Sequence, residues 1–116
     1  MLVVALPAHA QVQRSFPATA LRGNAVFGQP PDLLVNGAPM RLAPGARIRG
    51  TNNMLVMSGT LVGSKATVNY TVDGVGLVMD VWILTDEERA KKPWPTTPQE
   101  AQSWQFDPVA QVWSKR

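Results

Sequence analysis

The stretch KATVNYTVDGVGLVMDVWIL, Lys65 to Leu84, carries the fold. Asp73-Gly74 stands between two apolar runs, and both residue types accept the positive φ that a two-residue hairpin turn requires. With that turn, Val72/Val75, Tyr70/Leu77, Val68/Met79 and Ala66/Val81 face each other on one side of the ribbon. The other side carries Thr71/Gly76, Asn69/Val78, Thr67/Asp80 and Lys65/Trp82. A single register thus yields an apolar face and a mixed face, which predicts a hairpin lying over a core.

Toward the N-terminus, DLLVNGAPMRL repeats the signal, with Asn36-Gly37 as its turn. Val35 then faces Ala38, Leu33 faces Met40, and Asp32 faces Arg41 as a cross-strand ion pair. Pro39 cannot donate to a ladder, so it belongs where one side of the strand is unpaired. Ala20 to Gly28 and Arg47-Ile48-Arg49-Gly50 read as further short strands. Met54 to Gly63 reads as a longer one, with Gly59 marking a bulge or bend.

Beyond Leu84 the pattern changes. Thr85-Asp86-Glu87-Glu88 is a capping box that opens a short helix ending before Pro93. Thr97-Pro98-Gln99-Glu100 is a second, with Pro at the first helical position. Asp107-Pro108 turns the chain, and AQVW forms a last extended piece. The expected fold is all-β for the most part: a five- or six-stranded OB-like barrel or sandwich with a short helical C-terminal extension. Its organisation is read as a signal-peptide remnant over 1–10, a flexible lead-in over 11–19, the barrel over 20–84, and a Trp-rich tail over 85–116 packed on the barrel.

The succession LLVNG, LAPGARIRG and LVMSGTLVGSKATVNYTV, within about Leu21 to Leu84, resembles small exported bacterial barrel domains of OB-like topology whose function is unknown. The shared motifs are glycine punctuation, so the resemblance implies a fold and carries no catalytic residue.

The opening MLVVALPAHAQ bears on location. Leu2 to Leu6 is a short apolar run, and Ala8-His9-Ala10 is the small-x-small pattern that signal peptidase accepts. No cation precedes the run, which is shorter than the usual span of about 7 to 15 residues, so a buried first strand is the competing reading. Export would place the chain in the periplasm or outside a bacterial cell. No other segment approaches the roughly 20 apolar residues of a membrane span.

With 116 residues, 45% of them hydrophobic, the chain is long enough for one compact domain and too short for two comfortable ones. It has no cysteine, and His9 is its single histidine. Cleavage after Ala10 would leave neither, excluding Ser-His-Asp and Cys-His nucleophile systems and the side chains that dominate zinc and copper sites. No cofactor is expected, and the chain is read as a non-enzymatic binding or structural module.

The candidate binding residues fall into two sets. Arg41, Arg47 and Arg49, with Arg22 nearby in sequence, are the basic concentration in a chain of net charge +3. Arg47 and Arg49 share a strand face, with Ile48 on the other. This set suits an anion, but charge this sparse, without interleaved aromatics, argues against nucleic acid.

The second set is aromatic. Trp82 lies on the hairpin's outer face, where Lys65 can stack on it. Trp94, Trp104, Phe106 and Trp113 sit in the tail, where they either cover Val78, Trp82 and Leu84 or wait for an envelope protein or glycan. Asp80, a carboxylate between Met79 and Val81, is placed opposite Thr67. It is also the residue on which an alternative reading, a carboxylate-dependent hydrolase of envelope glycans, would depend.

Overall fold

A computed structural model describes residues 14–115. The signal-peptide reading of 1–10 and the first part of the lead-in lie outside the described residues.

Five strands close into a barrel: β1 (Leu21–Phe27), β2 (Asp32–Val35), β3 (Ala38–Arg49), β4 (Lys65–Val72) and β5 (Val78–Ile83), in the order β1-β2-β3-β5-β4. All neighbours run antiparallel except β3 and β5, which are parallel, and β1 closes on β4. This is the OB-like barrel expected from the strand pattern. Closure leaves no exposed sheet edge along the paired stretches.

Strand alternation fills the interior. Leu21, Ala25 and Phe27 of β1, Leu33 and Val35 of β2, Ile48, Val68, Tyr70, Val78 and Val81 form one buried cluster. The Asn36-Gly37 hairpin forms as the sequence indicates. Both turn residues have positive φ, 53° and 83°, and Asp32 pairs with Arg41, Leu33 with Met40, and Val35 with Ala38. Pro39 opposes Leu34, and β5 reaches no further along β3 than Leu42, so the missing N–H leaves no ladder bond unmade.

The second hairpin departs from its expected register. Val72 pairs with Val78, Tyr70 with Val81, Asn69 with Trp82, and Val68 with Ile83. The cause is Asp73, whose Oδ1 accepts the amides of Val75 at 3.0 Å and Leu77 at 2.9 Å, holding Asp73 to Leu77 as a wider loop. Gly76 rather than Gly74 takes the left-handed conformation, at φ 92°. The displacement is even along most of the ribbon, so Val68, Tyr70 and Val81 still face inward, with Asn69 and Trp82 on the other side.

A register shift between Thr71 and Val72 accompanies the burial of Val78, which is 0% exposed in the barrel interior instead of lying beside Trp82. Two pairings fail with the register. Lys65 meets Val26 rather than Trp82, and Asp80 meets Thr71 rather than Thr67.

Two other expected strands change character. Arg47 to Arg49 is the end of β3, which bends between Leu42 and Arg47, where its register with β5 shifts. Met54 to Gly63 is no strand. It holds a bridge from Leu55 to Arg49 and a 3-10 turn over Ser58–Leu61. Thr60 donates both its amide and its hydroxyl to the Met57 carbonyl, at 3.0 and 2.7 Å, which curls the chain away from the sheet.

The extension contains α1 (Asp86–Arg89), α2 (Pro98–Ser103), and a hairpin of β6 (Gln105–Asp107) and β7 (Val112–Ser114). Thr85 and Glu88 form the full reciprocal capping box. At α2 only half of it forms: Thr97 caps Glu100, while the Glu100 carboxylate turns to the amide and hydroxyl of Thr96.

Residues 14–19 do not form a loose lead-in. Arg14 and Phe16 are buried, and Phe16 joins Ala20, Leu84, Trp94 and Trp113 in a second apolar cluster, with Trp82, Ala101, Trp104 and Phe106 packed around it. The chain is therefore built on two adjoining cores.

Candidate functional site

The second core explains most of the tail's aromatics. Phe16 meets Trp82 and Trp94 edge-on, with centroids 5.3 and 5.8 Å apart, and Phe106 stacks on Trp113 at 4.7 Å. Trp94 donates its Nε1 to the Ala20 carbonyl at 3.0 Å. Trp94 and Trp113 are each 5% exposed, so neither presents a ring face to a ligand. Trp104 and Phe106 are half-buried, and Lys115 lies over the Trp104 ring at 5.2 Å. Of the tail rings, Trp104 and Phe106 keep some exposed surface.

The arginines separate. Arg41 and Arg47 both border a groove of about 720 Å³, while Arg49 turns away and donates to the Asn53 carbonyl at 3.2 Å. Arg22 lies elsewhere, between the barrel and the extension. The same strand bend that breaks the register of β3 creates the groove. Between Leu42 and Arg47, β3 has no ladder partner on β5, and its pairing with β2 extends no further than Arg41, opposite Asp32. Pro30, Pro31, Leu77 of the β4–β5 loop, and Leu55, Val56 and Met57 line it.

The lining is chiefly apolar, and two of its members protrude: Leu55 is 63% and Met57 78% exposed. Large apolar side chains held in water beside a concave surface make this groove the candidate interaction site. Met suits such a surface because its unbranched thioether adapts to different shapes.

Charge sits on the rim. Arg41 is 3.3 Å from Asp32 and Arg47 is 3.6 Å from Asp80, all four side chains being at least partly exposed. Such pairs contribute about 0–1 kcal/mol, so either guanidinium can exchange its partner for a ligand carboxylate at little cost. Asp80 also accepts from the Thr71 hydroxyl at 3.1 Å. The carboxylates of Glu100 and Asp32 have partners of their own, Thr96 and Arg41. Among the described residues no group of three or more His, Cys, Asp or Glu side chains is placed to hold a metal ion.

Sequence reasoning missed Pro30, Pro31, Leu55 and Met57. The signal was present in Met54-Leu55-Val56-Met57, an apolar run that reads equally well as a buried strand. Compared with known proteins, the chain matches no family model, no curated protein and no solved structure.

Proposed function

We propose that the chain is a non-enzymatic binding module of the bacterial cell envelope, and that the groove at the bend of β3 receives an extended protein segment carrying an apolar side chain next to a carboxylate. The observation that supports this reading is the pairing of an apolar trough, flanked by protruding Leu55 and Met57, with Arg41 and Arg47 on its rim. Anchoring one apolar side chain there is worth about 1.5–3 kcal/mol, and the guanidiniums set orientation by forked hydrogen bonds. A glycan reading is less favoured, because no aromatic ring lines the groove. The hydrolase reading would need a second carboxylate across from Asp80, whose own contacts are with Arg47 and Thr71.

Selection of a random peptide library on the full chain tests the proposal. Enriched peptides should combine an apolar anchor with Asp or Glu, and should bind at least about tenfold more weakly to Met57→Glu and to the Arg41→Gln/Arg47→Gln double variant. Asp80→Asn should leave binding intact. No enrichment, or binding indifferent to those changes, rules the reading out. The envelope address rests on the small-x-small leader, and N-terminal sequencing of exported material should begin at Gln11.

A further inference from the structure

A second concave site lies away from this groove, where the outer side of β1 and β4 meets the segment that follows α1. It is a cleft of about 780 Å³ whose lining includes Arg22, Arg89 and Lys92 against one carboxylate, Asp86. Asn24 and Thr67 add polar groups to its wall. It carries more cationic and hydrogen-bonding side chains than the groove does.

Arg22 is built into this cleft rather than waving from it. Its Nε donates to Asn69 Oδ1 at 3.1 Å, its Nη1 donates to the Lys91 carbonyl at 2.8 Å, and its guanidinium lies 4.7 Å above the Trp94 ring. Two donors of this bonded pair, Arg22 Nη2 and Asn69 Nδ2, are buried and have no acceptor among the described residues. Burial pushes the Arg22 guanidinium down to about 10, the charge of Glu88 opposing the shift, so it remains a cation at physiological pH. A fixed, partly desolvated cation that shares a cleft lining with Arg89 and Lys92 offers an anion a pre-positioned charge.

We propose that the cleft is an oxyanion site, in which Arg22, Arg89 and Lys92 take a carboxylate or phosphate group of a ligand whose hydroxyls meet Asn24 and Thr67. Asp86, which pairs with Arg89, is its internal competitor. Arg41, Arg47 and Arg49 all lie outside this cleft.

Calorimetric titration of the full chain with inorganic phosphate, and separately with glucuronate, tests the site at about 10 mM ionic strength, where the Debye length is roughly 30 Å. Saturable binding of either probe is expected. It should weaken about tenfold in Lys92→Gln and in Arg89→Gln, as loss of a charge-assisted hydrogen bond implies, and should strengthen in Asp86→Asn. Preference for phosphate or for glucuronate identifies the phosphorylated or the uronate source. The binding that depends on Lys92 should persist in Arg41→Gln/Arg47→Gln, which separates this site from the peptide groove. Lys92 is exposed, so its variant stays folded if Arg89→Gln does not. Neither probe binding, or binding equal in wild type and Lys92→Gln, overturns the proposal.

Discussion

Arg14 and Glu88 form a buried, forked ion pair across 74 residues of chain, Nε meeting Oε2 at 2.8 Å and Nη2 meeting Oε1 at 2.5 Å. Two further donors of Arg14 reach the carbonyls of Gly50 and Ile83, both at 2.8 Å. Glu88 is meanwhile the reciprocal member of the α1 capping box, accepting the Thr85 amide at 2.9 Å. One carboxylate thus ties the lead-in to the first helix of the extension. Arg14→Met should lower unfolding free energy by about 3–5 kcal/mol in urea titrations, because it strands a buried carboxylate and two carbonyls. Arg14→Lys should recover only part of this, since an ammonium cannot fork. Equal stability of wild type and Arg14→Met would remove the pair from the account of the fold.

The same pair sets an acid limit. Burial raises the Glu88 carboxyl, but hydrogen bonds from Arg14 and Thr85 and the Arg14 charge outweigh it, holding its pKa below the ordinary 4.5. A depressed folded-state pKa contributes stability that is complete above the unfolded value and is lost as pH falls through the folded one. Urea midpoints of the wild type should therefore fall on acidification below about pH 4.5, and Glu88→Gln should show a shallower fall over the same interval.

Trp94 is the hub of the second core, with Phe16, Phe106 and Trp113 all edge-on to its ring. Trp94→Ala should cost about 3–5 kcal/mol, read as a lowered thermal midpoint. A chain ending at Lys92 retains Trp82 as its sole tryptophan, which makes it a reporter. Its emission should shift to the red and become quenchable by acrylamide once the tail is gone. Protected emission at an unchanged midpoint would contradict a packed tail.

Asp73 determines the β4–β5 loop. Asp73→Ala removes the acceptor of two amides and should destabilise by about 1–2 kcal/mol, whereas Asp73→Asn keeps a carbonyl there and should remain within about 0.5 kcal/mol of wild type. Thermal unfolding of the two variants decides the point.

The particular residues show how far the sequence could be read. Asn36-Gly37 specified its hairpin down to the Asp32–Arg41 pair, because both turn residues have a local conformational reason and no rival. Asp73-Gly74 looked equivalent, yet the Asp73 side chain captured amides further along, and a side-chain hydrogen bond overrode turn propensity. Inward and outward faces survived because an even displacement preserves them. The groove was not legible: Arg41 and Arg47 were visible as charges, but Leu55 and Met57 come from a segment that periodicity assigns to a strand. Arg14 and Phe16 were equally hidden, since their burial depends on partners in the last third of the chain.

That dependence governs the order of assembly. Phe16 donates its amide to Gln111 Oε1 at 2.8 Å, across 95 residues, so the second core needs both ends of the described chain. During synthesis the barrel strands emerge first and can pair, but Trp82 and Leu84 keep an uncovered flank until β7 has been made. Closing so long a loop is entropically slow, and the nascent domain spends that interval with apolar surface in water. A chaperone that shields this flank would act in the window between completion of β5 and arrival of Trp113.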